Sequence, residues 1–195
     1  MQSSSILASL FGSAIAAAAL LAGAPALAAP SHSAGRTVMV GGAAMLPTRT
    51  IVENAVNSAD HTTLVAAVQA AGLVDTLSGA GPFTVFAPTN AAFGKLPAGT
   101  VDTLVKPEQK GALTRILTYH VVAGSVTSAQ LLRMIRAGRG KAELTTVSGG
   151  KLTARRNGRG IVLIDEAGGR ARVTQADVMQ SNGVIHVTDT VSMPR

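Results

Sequence analysis

The stretch FTVFAPTNAAF at residues 83–93 holds three of the chain's four phenylalanines and decides how the chain folds. Its first four residues predict a short strand that Pro88 ends. Phe83 and Phe86 cannot share one face of that strand, because side chains alternate between the two faces of a strand. We therefore expect the strand to be covered on both faces or to bend at its end. We also expect Phe86 and Phe93 to be core residues.

Two other segments carry distinctive patterns. Residues 119–122 read YHVV and follow an apolar stripe at helical spacing, which predicts a helix end and then extended backbone. Residues 181–187 read SNGVIHV. The Asn182-Gly183 pair accommodates a positive φ before a strand on which Ile185 and Val187 share one face.

In this order and at these separations, the three segments resemble the signature motifs of fasciclin-like (FAS1) domains. The resemblance runs from about Thr48 to Pro194, and Ser192 and the arginine-rich region before the last segment depart from it. It implies an α+β FAS1 fold, a twisted β-wedge of short strands with several flanking α-helices. It also implies that the first and last segments form neighbouring strands in the core.

Periodicity along the chain agrees with helices first and a β-meander second, which favours an α+β domain over alternating βαβ units. Thr50 and Glu53 form a predicted capping box at the first helix. We expect helices or short helical pieces at 51–56, 60–71, 90–96, 100–105, 107–120 and 128–137. We expect strands at 83–86, 143–147, 151–156, 160–165, 170–174 and 184–187.

The N-terminal residues predict export. Residues 1–28 have the apolar run and the small-residue site of a signal peptide, with cleavage expected after Ala28; an uncleaved membrane anchor is the alternative. Residues 29–47 are small and polar and are interpreted as a linker, and the domain is expected at 48–194. The protein is therefore expected to be secreted or periplasmic, and not an integral membrane protein after cleavage.

Nothing in the sequence indicates an enzyme or a cofactor. The chain has no Cys, and it lacks a nucleophile elbow, a metalloprotease helix motif and a phosphate loop. His61, His120 and His186 have no spacing typical of metal ligands, and we interpret them as buried or capping side chains. The adjacent acids Asp165 and Glu166 are expected in a solvated turn.

Two surfaces remain as candidates for binding. In the family that the chain resembles, the region of Tyr119, His120, Val121 and Val122 is implicated in adhesion to integrin-type receptors. The alternative is structural: the Tyr119 ring packs and its hydroxyl forms a hydrogen bond, while His120 closes the helix.

The second candidate is basic. Residues 133–172 contain ten basic and three acidic side chains, which accounts for the chain's net charge of +7. Lys151, Arg155, Arg156 and Arg159 are the predicted polyanion-binding residues; the alternative is a solvated face. The apolar residues expected to point inward are Leu152, Ala154, Val162, Ile164, Ala171 and Val173, which leaves Arg170 and Arg172 outward.

The resemblance implies an adhesion module whose partner is a cell-surface or matrix protein of the integrin or collagen type. The alternative function is that of an envelope protein that binds anionic polysaccharide or lipid through the basic region. Nucleic acid is not expected, because the protein is exported and no aromatic side chains are interleaved for base stacking.

Overall fold

The computed structural model describes residues 37–195, which form nine strands and seven α-helices. The strands are β1 (Val38–Val40), β2 (Ala43–Met45), β3 (Phe83–Pro88), β4 (Val121–Ala123), β5 (Lys141–Thr145), β6 (Lys151–Asn157), β7 (Gly160–Ile164), β8 (Arg170–Gln180) and β9 (Gly183–Thr188). The helices are α1 (Ile51–Ala55), α2 (Thr62–Ala71), α3 (Val74–Ser78), α4 (Asn90–Phe93), α5 (Thr100–Leu104), α6 (Lys110–Tyr119) and α7 (Ser128–Ala137). None of the helices within residues 37–195 has the length and apolar character needed to cross a membrane.

Seven strands form one sheet in the order β4-β3-β9-β8-β7-β6-β5. Strands β3 and β9 are parallel, with Phe83 opposite Gly183 and Pro88 opposite Thr188, and the other neighbours are antiparallel. Val147 N–H also donates to the Val121 carbonyl at 2.7 Å, which ties the end of β5 to β4. The two outer motifs are therefore neighbouring strands, as the resemblance implied.

Strand β3 separates two apolar clusters. Val85 and Ala87 pack into a cluster with α2, α6 and β9, while Phe86 packs into a second cluster with α7 and the meander. Phe86 is fully buried, which confirms the predicted core position, and the expectation that β3 is covered on both faces is confirmed. Phe93 is only partly buried, between the first cluster and a smaller third one.

The start of the described chain differs from the predicted linker. Residues 38–45 form the β1–β2 hairpin, in which Gly41 and Gly42 have positive φ. Val40 and Met45 are buried in the first cluster. Strands of three residues are too short to show a period of two, so the sequence did not reveal them. The predicted signal peptide at residues 1–28 and its cleavage site lie outside the described residues.

Strand β7 faces the opposite way from the prediction. Ile161 and Leu163 are buried, whereas Val162 and Ile164, which were expected inward, lie on the outer face. Residues 161–164 read IVLI, so both faces are apolar and the sequence cannot choose between them. The register decides, because Leu163 is paired with Ala154 on β6 and Ala171 on β8, both of which are buried.

Two of the α-helices, α1 and α7, begin with a capping box. The Thr50–Glu53 capping box is present at α1, as predicted. At α7 the cap is Thr127, paired with Gln130. The next residue, Ser128, binds the Asp177 carboxylate. Asp177 has a φ of 59° in an irregular part of β8.

Candidate functional site

Tyr119 is a core residue that joins α6 to the meander. Its side chain is fully buried in the second cluster. The hydroxyl donates to the Lys151 carbonyl at 2.6 Å and accepts from the Glu166 backbone N–H at 3.1 Å. Burial raises the pKa of Tyr119. The hydroxyl is therefore used for a connection within the domain.

His120 is buried next to it and is held in its neutral form. Nδ1 lies 2.8 Å from the Ile116 carbonyl, to which it must donate, and Nε2 accepts from the Ser192 backbone N–H at 3.0 Å. An imidazole that donates at one nitrogen and accepts at the other carries a single proton. Burial lowers the pKa of His120 below its ordinary value.

Val121 and Val122 are also buried, so all four side chains of residues 119–122 lie inside the domain. A side chain that no partner can reach makes no direct contact with one. The geometry favours the structural interpretation of this segment over the adhesive one.

The other two histidines of the domain are also structural. His186 is fully buried, donates from Nε2 to the Val126 carbonyl at 2.8 Å, and stacks on Phe86. His61 is buried with Nδ1 at 2.9 Å from the Ser58 hydroxyl, while its Nε2 has no hydrogen-bond partner among residues 37–195. Burial lowers the pKa of both. Within the described part of the chain, no three His, Asp or Glu side chains gather as metal ligands do.

The prediction of a solvated turn holds for Glu166, which is partly exposed in the turn after β7, and is wrong for Asp165. Asp165 is buried; its carboxylate accepts from the Gly169 and Met193 backbone N–H groups at 2.6 and 2.9 Å. Glu166 accepts from the backbone N–H groups of Lys151 and Arg195, and these bonds lower its pKa. The two carboxylates hold the C-terminal residues against the meander.

A depression of about 340 Å³ lies on the outer face of β6, β7 and β8, opposite the face that packs on α7. We call it the arginine trough. It is lined by Arg155, Arg156, Asn157, Val162, Ile164, Arg170, Arg172 and Asp189. Its volume lies at the lower end of the range for ligand pockets.

Strand register places the charges along both sides of the trough. Val162 is paired with Arg155 on one side and Arg172 on the other. Ile164 is paired with Arg170. Adjacent strands lie about 4.8 Å apart, so the Arg155 and Arg172 backbones are roughly 10 Å apart. The half-buried Val162 and Ile164 form an aliphatic floor between the two rows of cations.

None of the four trough arginines forms an ion pair within the described residues. The ion pairs found there are Lys95–Asp189, Lys141–Glu143 and Lys151–Glu143. Asp189 also accepts from the Arg172 backbone N–H at 2.8 Å, and Arg156 Nε donates to the Gly158 carbonyl. The trough thus presents four guanidinium groups beside the carboxylate of Asp189, so its net charge is positive.

Two of the four predicted polyanion-binding residues line the trough, and the other two do not. Arg155 and Arg156 line the trough, whereas Lys151 lies at the other end of β6 with its ammonium 3.6 Å from Glu143. Arg159 is exposed in the β6–β7 turn and does not line the trough. The candidate set omitted Arg170 and Arg172, although the alternation of arginine with apolar residues along β8 signals their outward position.

Comparisons with known proteins agree on one family. The fasciclin domain model matches residues 59–194. The protein sll1483 of Synechocystis is 48% identical over 160 residues, which cover 82% of this chain and 81% of that protein. The immunogenic protein MPB70 of Mycobacterium bovis is 38% identical over 143 residues, 71% of this chain and 65% of that protein. Transforming growth factor-beta-induced protein ig-h3 of Sus scrofa is 37% identical over 131 residues, 67% of this chain and 17% of that protein.

One solved structure shows the same fold. It is the FAS1 domain pair of the insect cell adhesion molecule fasciclin I, with a TM-score of 0.66 and 21% identity. The match covers 75% of this chain and 51% of that chain.

Proposed function

The chain belongs to the fasciclin domain family, and from that membership we propose that it is a non-catalytic adhesion module acting outside the cytoplasm. The single observation that carries the proposal is the family match over residues 59–194. Fasciclin I is a cell adhesion molecule, and MPB83 of Mycobacterium bovis, 40% identical over 122 residues, is a cell surface glycolipoprotein. The predicted signal peptide at residues 1–28 supports a location outside the cytoplasm, either secreted or periplasmic.

The proposed partner is a cell-surface or matrix protein, of the integrin or collagen type by family resemblance. Residues 119–122 are buried, so adhesion through them would require the helix end and strand β4 to open. The adhesive contacts are therefore proposed to come from other, exposed residues. Large exposed apolar side chains suited to such contacts include Met39, Val56 and Val147.

A second candidate function is the binding of an anionic polysaccharide or lipid. The specific observation in its favour is the arginine trough, where four guanidinium groups lie beside one carboxylate, that of Asp189, and none of them forms an ion pair within the described residues. A concentration of one charge in a concave site raises the local concentration of ligands of opposite charge.

Attachment of coated beads to intact cells tests the proposal. The same measurement distinguishes a protein partner from an anionic polysaccharide or lipid. Beads carrying the exported protein are mixed with cells of the producing organism in 0.15 M and 1 M NaCl, with albumin-coated beads as control. Attachment that persists in 1 M NaCl supports a protein partner, because salt screens charge contacts and leaves apolar ones. Attachment lost in 1 M NaCl supports an anionic ligand. No attachment above the albumin control at either salt concentration would contradict the adhesion function.

A further inference from the structure

We propose that the arginine trough binds a segment of an acidic polysaccharide, one that carries carboxylates or sulfates along its length. The sugar rings lie on Val162 and Ile164, and the arginines on either side hold the acidic groups. This inference rests on the second candidate function and names its ligand. The contacts, charges and surroundings of the trough each support it.

The shape of the trough suits a ribbon-like ligand. The floor runs along β7, and the cations stand on the strands at either side, with Arg155 on β6 and Arg170 and Arg172 on β8. A pyranose ring has an apolar face of C–H groups and polar groups around its edge. Such a ring laid on an aliphatic floor places its edge substituents toward both rows of guanidinium groups.

The choice of cation suits carboxylate and sulfate groups. A guanidinium presents several N–H donors in a plane and binds such oxyanions through two parallel hydrogen bonds, whereas an ammonium acts as a point charge. The cations lining the trough are all arginines. The nearby lysines Lys141 and Lys151 instead pair with Glu143 outside it.

A lipid surface fits the trough less well. Binding at a membrane interface buries apolar side chains among the lipids besides attracting the headgroups. The β6–β7 turn at the trough carries Asn157, Gly158 and Arg159, none of which is apolar and large. The large exposed apolar side chains of the described residues are Met39, Val56, Val105, Met134 and Val147, and none of them lines the trough.

The chain's own N-terminal residues are an unsuitable occupant. The first acidic residue of the chain is Glu53, so residues 1–52 carry no carboxylate side chain to offer the arginines. The N-terminal residues therefore cannot supply the anionic groups that the proposal requires.

The test measures binding of the exported protein to three probes at 0.15 M NaCl. The probes are a heparin hexasaccharide for sulfates, a polygalacturonate hexasaccharide for carboxylates, and vesicles containing phosphatidylglycerol for a lipid surface. The trough variant is Arg155→Gln with Arg172→Gln. The matched control is Arg133→Gln with Arg136→Gln, which removes the same charge from exposed positions on α7.

We expect at least one hexasaccharide to bind, the trough variant to weaken that binding by 10-fold or more, and the control to weaken it by less than 3-fold. Val162→Asn, which keeps every charge, should weaken it by about 5-fold through loss of the apolar floor. Equal losses in the trough and control variants would overturn the proposal, because they would show attraction to the overall charge alone. Binding to vesicles but to neither hexasaccharide would assign the trough to lipid, and binding to no probe would also overturn the proposal.

The same variants separate this inference from the adhesion function. If the trough variant loses the hexasaccharide but its beads still attach to cells, adhesion stands and uses another surface. If the wild-type protein binds the hexasaccharide but its beads do not attach, the polysaccharide site stands and the adhesion function fails.

Discussion

His120 Nε2 accepts a hydrogen bond from the backbone N–H of Ser192 at 3.0 Å, across 72 positions of sequence. This contact joins the end of α6 to the C-terminal residues. It requires a neutral imidazole, because a protonated one would present an N–H toward another N–H. The C-terminal segment is therefore held by a side chain whose pKa burial keeps below its ordinary value.

Acidification should destabilise the fold through its buried histidines. Burial holds the pKa of His61, His120 and His186 below the ordinary 6.5, so the unfolded chain binds more protons as the pH falls. The stability is fully present above about pH 6.5 and is lost as the pH falls toward the folded-state values. Each histidine contributes a slope of up to about 1.4 kcal/mol per pH unit in that window.

Urea unfolding at pH 7.5, 6.0 and 5.0 measures this effect. The variant His186→Gln should be less stable at pH 7.5 and should show a shallower dependence on pH, because one titrating group is gone. A free energy of unfolding that stays constant between pH 7.5 and 5.0 would contradict the assignment of neutral, buried histidines.

Phe86→Ala should cost about 3–5 kcal/mol of stability, because the ring is fully buried between β9 and the second cluster. Phe93→Ala should cost less, about 1–2 kcal/mol, because the Phe93 side chain is only partly buried. Denaturant midpoints measure both, with Val147→Ala at an exposed position as the control. Equal losses of stability for the two phenylalanine variants would contradict the conclusion that Phe86 is buried more deeply than Phe93.

Tyr119→Phe should lower the free energy of unfolding by about 1–3 kcal/mol, because it leaves the Lys151 carbonyl and the Glu166 N–H without their hydrogen-bond partner. The variant should remain folded at 20 °C, and its coated beads should attach to cells as the wild type does. Unchanged stability together with lost attachment would restore the adhesive interpretation of residues 119–122.

Salt dependence should distinguish arginines inside the trough from cations outside it. For the hexasaccharide that binds, Arg170→Gln with Arg172→Gln should flatten the slope of log affinity against log salt by about one unit per arginine. Lys151→Gln with Arg159→Gln removes the same charge outside the trough and should change the slope by less. Similar slopes for the two pairs, measured from 0.05 to 0.5 M NaCl, would argue against a defined site.

Cleavage after Ala28 is expected on export. The intact mass of the exported protein should correspond to a chain that begins at Ala29. A protein that keeps Met1 and sediments with membranes would favour the alternative of an uncleaved anchor.

Local chemistry alone determined a large part of this protein. The run at residues 83–86 specified a strand that is covered on both faces or bends at its end, because the side chains of Phe83 and Phe86 point to opposite faces. The hydroxyl of Thr50 and the carboxylate of Glu53 specified a helix start. The pair Asn182-Gly183 specified the entry to β9 through its tolerance of a positive φ, and Gly183 has a φ of 158°.

Only the tertiary structure decided which surfaces are available. The sequence IVLI at residues 161–164 fits either face of a sheet, and only pairing of Leu163 with Ala154 and Ala171 turned Val162 outward. The same pairing set Arg155 across from Arg172, although the two are 17 positions apart in the sequence. Tyr119 and His120 have side chains typical of a binding surface, and their burial depends on partners as distant as Ser192. Capping and hydrophobic periodicity depend on residues that are close in the sequence, so the sequence alone reveals the local structure that they produce. The exposure of a side chain depends on which distant strands and helices pack against it.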